Sequence, residues 1–173
     1  MVQLSSLMWI LAVFFGIVGF VRGWNREIVA LAGISLAMFA LFQFDPLIRG
    51  TMLLRFTRGQ AFLIQVSIFL LVVFFAYHNK SFVADSRRGD ANFQEGLLGG
   101  LVGMFNGYLI GGTLWYFLDI NEYPLSPYVL ADSTSAQSLS SIPLVIISGG
   151  VGGNGDMMIV GVVILFLVVL MTL

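Results

Sequence analysis

The stretch GFVRGWNRE, residues 19–27, sets two arginines and a carboxylate between two runs of nearly pure hydrocarbon. Arg22 and Arg26 stand four residues apart and Glu27 follows directly. Guanidinium groups so placed can hold a carboxylate or phosphate through charge-assisted, bidentate hydrogen bonds. Their plainer role is to fix topology at a cytoplasmic helix end. A later turn offers Glu95 as an answering carboxylate. A contact from Arg22 or Arg26 to Glu95 would clip the first helical hairpin to the second. Asn106 lies inside an apolar run, where its amide is placed to hydrogen-bond a neighbouring helix for about 1–2 kcal/mol or less.

Little else along the chain has the makings of a reactive site. Cysteine is absent, which excludes disulfides, thiolate metal sites and cysteine nucleophiles. His78 is the sole histidine and has no cluster of ligating residues around it in sequence, so it reads as an interfacial residue and no metal is expected. Gly149, Gly150, Gly152, Gly153 and Gly155 lack the Lys-Ser/Thr that a phosphate loop needs, and they read as a hinge. Asp45 and Asp119 each terminate an apolar run and look like boundary residues. On this reading no span carries a buried acid or base, which argues against an ion-coupled pump. No catalytic residue, cofactor or small-molecule substrate is therefore expected, and the chain is not read as an enzyme. A net charge of −1 gives no case for nucleic acid.

The elements that must position these groups are membrane helices. Of 173 residues, 58% are hydrophobic and 10% charged, with a mean hydropathy of +0.97. A soluble domain carries about 25% charged residues, so this chain cannot cover a water-facing surface. Spans of about 20 apolar residues fit 4–21, 28–44, 61–77 and 97–118, with a shorter fifth at 157–173. The first run lacks the basic flank and cleavage site of a signal peptide and is expected to be retained. The first and third connections hold Arg22, Arg26, Lys80, Arg87 and Arg88. The second holds Arg49, Arg55 and Arg58. Five against three places the first and third connections in the cytoplasm and the N-terminus outside. The second connection, DPLIRGTMLLRFTRG, is basic and amphipathic, suited to the headgroup layer. Residues 119–156 form a Pro-, Ser- and Gly-rich extracytoplasmic loop, and its apolar piece IPLVIISGG is re-entrant or interfacial.

The fourth span contains a glycine ladder. Gly99, Gly103, Gly107 and Gly111 recur at every fourth position. In water each glycine costs a helix about 1 kcal/mol relative to alanine. In lipid such residues let a neighbouring backbone approach closely. The mate is either a second protomer or a helix of the same chain, and Gly16, Gly19 and Gly23 on the first span are the internal candidates.

GFVRGWNREIVALAGISLAMFA resembles the opening hairpin of the colicin V production protein (CvpA) family, with its Arg-Gly…Arg-Glu turn at Arg22, Gly23, Arg26 and Glu27. EGLLGGLVGMFNGYLIGGTLWYFLD resembles that family's second, glycine-rich motif, with Glu95 where the family prefers Asp, and with Gly96 and Asn106 where it often has Arg. The resemblance implies a multi-pass protein of the bacterial inner membrane linked to colicin V secretion and envelope maintenance. Together these features predict an all-α polytopic membrane protein of four or five helices: a four-helix membrane domain over 1–118, the loop over 119–156, and a fifth helix over 157–173. The expected role is a non-enzymatic scaffold or accessory subunit whose partners are membrane lipids and other subunits or copies of itself. The alternative is a small oligomeric channel or transporter.

Overall fold

The computed structural model describes residues 4–78, 93–126, 128–129, 142–150 and 152–172. All regular structure among them is helical: α1 (Leu4–Arg22), α2 (Trp24–Leu47), α3 (Arg58–His78), α4 (Phe93–Ile120), the short α5 (Pro143–Ile147) and α6 (Asp156–Thr172). The first four are long and apolar enough to cross a membrane. They overlap the four spans expected from sequence, the first extended by one residue and the others by several. At 17 residues, α6 is about 26 Å long, somewhat less than a hydrocarbon core of about 30 Å. Lys80, Arg87 and Arg88, which weighed in the expected orientation, lie outside the described residues.

The charged turn is shorter than the sequence suggests. One residue, Gly23, separates α1 from α2. Its φ of 81° and ψ of 159° fall in a region that only glycine occupies freely. Space is not the constraint there, since a methyl group on Gly23 would meet nothing within 4 Å. Gly23→Ala is expected to cost about 1–3 kcal/mol through backbone strain alone, read as a lower unfolding temperature in detergent. Arg22 thereby ends one helix, and Glu27 sits in the first turn of the next.

Residue pairings fix the topology. Gly19, Ala12 and Met8 of α1 face Gly99–Gly103, Gly107 and Gly111 of α4 in turn, so these helices run antiparallel. On α2, Glu27 meets Asn106 and Phe42 meets Tyr116, which sets α2 parallel to α4. Gly33 packs on Ala76, and Asp45 meets Gln65, so α3 runs antiparallel to α2. The result is an up-down bundle in which α2 and α4 form the centre. Between them and α3 lies a core that includes Ile34, Met38, Phe69, Leu109 and Phe117, all nearly or fully buried. Phe69 and Phe117 meet edge to face at 5.9 Å.

The glycine ladder is consumed inside the chain. A methyl group built on Gly99 would lie 2.8 Å from the Gly23 carbonyl carbon. On Gly103 it would lie 3.0 Å from Gly19 Cα, on Gly107 2.8 Å from Ala12 Cα, and on Gly111 3.0 Å from Met8 Cα. Gly16 makes room for Met104. At four successive turns α4 thus touches the backbone of α1, the close approach that dispersion in a lipid environment rewards.

The far end of α2 is irregular. Helix α2 runs through Pro46, and the backbone passes at once into a π-helical turn (Ile48–Met52) and a 3-10 turn (Leu53–Arg55). Proline supplies no N–H and its ring crowds the preceding turn, which accounts for the loss of α-helical register there. Helix α5 has Pro143, Leu144 and Val145 buried, as is Ile142 just before it, and the Pro143 ring occupies the space that Gly112 leaves open. Gly112 lies eight residues before the end of α4 at Ile120, or about 12 Å along its axis. The apolar piece therefore re-enters the bundle. The chain turns back through Gly149, Gly150, Gly152 and Gly155, all at positive φ, and Gly155 sets the start of α6 against Phe42 and Gln43 of α2.

Candidate functional site

Glu27 is fully buried. The sequence reading placed no buried acid in a span; the structure corrects that, because the one-residue turn at Gly23 draws Glu27 into the first turn of α2, under α3 and α4. A carboxylate removed from water must be matched by donors, and each neighbouring helix supplies one. Arg22 of α1 donates from Nη1 to Glu27 Oε1 at 2.6 Å. From α3, the Tyr77 hydroxyl donates to Oε2 at 3.0 Å. On α4, Asn106 Nδ2 donates to Oε2 at 2.9 Å and to the Glu27 carbonyl oxygen at 3.1 Å. One carboxylate on α2 therefore holds a side chain from each of the other three membrane-length helices.

Arg22 is the most constrained member. Its Nη2 donates to the Tyr77 carbonyl oxygen at 3.0 Å, one of the last acceptors of α3, where a helix end favours a cation. Its guanidinium carbon lies 4.5 Å from the centre of the Tyr77 ring, a cation–π distance. Arg22 keeps about a fifth of its side chain exposed and Tyr77 is partly exposed, so the cluster reaches the surface of the bundle at these two residues.

The residues singled out from sequence separate here. Arg22, Glu27 and Asn106 come together. Glu95 stands exposed on the first turn of α4, and the carboxylate paired with Arg22 is Glu27, five residues away, rather than Glu95. The clip between hairpins exists, but its acceptor lies on α2. Arg26 is exposed on the first turn of α2. Tyr77, which the sequence offered only as the end of a span, completes the set.

A second network closes the opposite end. Asp45 accepts from Arg49 Nε at 3.0 and 2.8 Å and from Gln65 Nε2 at 2.7 Å. Asn121 Nδ2 donates to Gln65 Oε1 at 2.8 Å and to the Phe117 carbonyl oxygen at 2.7 Å. Arg49 Nη2 reaches Gln65 Oε1 at 3.4 Å and Asn121 Oδ1 at 3.3 Å. Gln65 and Asn121 are buried. Asp45 is thus more than a boundary residue. Its spacing from Glu27 carried the signal: 45 minus 27 is 18 residues, five turns at about 3.6 residues each, so both carboxylates share one face of α2.

These contacts fall within a recognisable stretch of chain. A family model described as colicin V production protein matches residues 4–143. The chain belongs to the colicin V production protein family. Neither a curated protein nor a solved structure matches it significantly. The colicin V production match spans α1 to α4 and includes every member of both polar networks. It stops at the first residue of α5, so the glycine turn and α6 extend beyond it. As a member of this family with four membrane-length helices, the chain is a multi-pass membrane protein.

Chemically, the Glu27 cluster is an arrangement for holding. The carboxylate is engaged by three side-chain donors and balanced by one guanidinium. Among the described residues, no group of three or more His, Asp or Glu side chains gathers as metal ligands.

Proposed function

We propose that this colicin V production family member is a non-enzymatic scaffold or accessory subunit of a larger cytoplasmic-membrane complex, supporting an envelope or secretion process. The observation that carries this reading is the inward direction of its joining chemistry. The ladder lies against α1, Glu27 binds across the four helices, and Asp45 closes the other end. What faces outward is a firm apolar surface: Trp9, Phe14 and Ile17 on α1, Leu63, Phe74 and Phe75 on α3, and Val160, Ile164 and Phe166 on α6. With the ladder engaged within the chain, contact with neighbours would run through these outer faces. A pre-formed bundle presents them without an ordering cost at assembly.

A second reading is favoured by one specific observation. Buried ionisable groups in membrane spans often mark ion or proton paths, and Glu27 is such a group. A small oligomeric channel or transporter is the function it would serve.

Purification from native membranes in mild detergent, followed by sizing and mass spectrometry, separates the two. Stoichiometric foreign subunits are expected. A homo-oligomer with no other subunit would contradict the accessory role, and ion flux in liposomes would then test transport.

A further inference from the structure

Asn106 is fully buried, and its amide is aimed into the Glu27 cluster. Its nitrogen is used twice, on Glu27 Oε2 and on the Glu27 carbonyl oxygen. Its oxygen is not: Asn106 Oδ1 accepts no hydrogen bond from the described residues. Exchanging the two ends of the amide would not help. The oxygen would then face a carboxylate and a carbonyl, both acceptors only. The orientation is fixed by chemistry, and an amide oxygen is left without a donor.

An unsatisfied buried acceptor is costly, and native proteins commonly meet such groups with internal water. The charges in the cluster exclude other occupants. Arg22 and Glu27 already balance, so a cation bound at Oδ1 would leave a net positive charge between the helices, which is costly at this depth. An anion would face an oxygen with no proton to offer. The group required is small, neutral and a hydrogen-bond donor. The α1–α4 seam beside Asn106 also carries acceptors. Asn106 sits between Gly103 and Gly107 on α4, and methyl groups on those glycines would run into the carbonyl oxygens of Phe15 and Leu11 of α1. Each such carbonyl has a second lone pair beyond its helical bond.

We propose that an internal water molecule is bound at the α1–α2–α4 junction, donating one hydrogen to Asn106 Oδ1 and the other to a backbone carbonyl of α1. The Glu27 cluster is then a five-member network, and it carries water to a point about 10 Å along α4 from Gly99, where the α1–α2 turn packs. This holds whether the protein is a scaffold or a transporter.

The test is a crystal structure of the full chain from a lipidic mesophase, at a resolution that shows ordered water (about 2 Å). The expected result is a density peak 2.7–3.2 Å from Asn106 Oδ1, with a second polar atom in reach. A dry Oδ1, or a side-chain donor found upon it, overturns the proposal. Infrared spectra in nanodiscs give an independent reading that needs no crystals. A sharp O–H band that shifts in oxygen-18 water and vanishes in Asn106→Leu is expected. Spectra of wild type and variant that respond identically to the isotope contradict it.

Discussion

Glu27→Ala is expected to be the most damaging single substitution in the bundle. It removes the acceptor for Arg22, Tyr77 and Asn106 together and leaves a guanidinium, the half-buried Tyr77 hydroxyl and the buried Asn106 amide without their partner. Breaking a buried ion pair from one side costs about 3–5 kcal/mol. Because Arg22 retains some contact with solvent, the lower part of that range applies, about 3 kcal/mol. For a chain of this size that corresponds to a fall of about 6–12 °C in unfolding temperature. Glu27→Gln keeps the shape and gives up the charge, so its loss should be smaller, about 1.5–3 kcal/mol for the charged hydrogen bond. Thermal unfolding of the purified variants in one detergent checks both values. Equal, negligible shifts would mean that the carboxylate holds nothing.

The second large effect comes from the α1–α4 seam. Gly103→Ala places a methyl group 3.0 Å from Gly19 Cα and into the carbonyl of Phe15. Both obstacles are backbone, so no side chain can swing away and the helices must part. Overpacking of this kind costs about 1–3 kcal/mol, and the upper end is expected here. Gly100→Ala is the matched control. Its nearest contacts would be Gly16 O at 3.4 Å and Phe20 Cβ at 3.5 Å, ordinary distances, while alanine improves helix propensity by up to about 1 kcal/mol. Three residues apart on one helix, the two changes should move stability in opposite directions. The same thermal assay reads the sign of each, and a destabilising Gly100→Ala of similar size would show that the seam is not where the glycines matter.

Much of this was legible in the sequence, for identifiable reasons. Long apolar runs in a chain poor in charge admit few structures other than helices, so the four spans and the all-α architecture followed directly. The ladder announced close packing through its period alone. The choice of Gly16, Gly19 and Gly23 as an internal mate was open, because a period does not say which helix answers it; the structure puts α1 there.

The charged turn was misjudged for a local reason. Nothing in the letters RGWNRE shows that Gly23 adopts a conformation reserved for glycine and so reduces the turn to one residue. That conformation carries Glu27 from an expected surface turn to full burial. Gln65 stood out as an uncharged polar residue inside a span, but Tyr77 was invisible as a site residue because its partner lies 50 positions away. The second network had one legible sign, the 18-residue spacing of Glu27 and Asp45, which a search for reactive clusters passes over.

Arg22 is tied to Glu27, and this tie joins the helices. A double-mutant cycle tests it most directly, by reversible unfolding in mixed micelles. Arg22→Met is combined with Glu27→Gln in one cycle and with Glu95→Gln in another. A coupling of at least about 1.5 kcal/mol is expected in the first cycle and additivity within about 0.5 kcal/mol in the second. Additive effects for Arg22 and Glu27, with coupling to Glu95 instead, would contradict it.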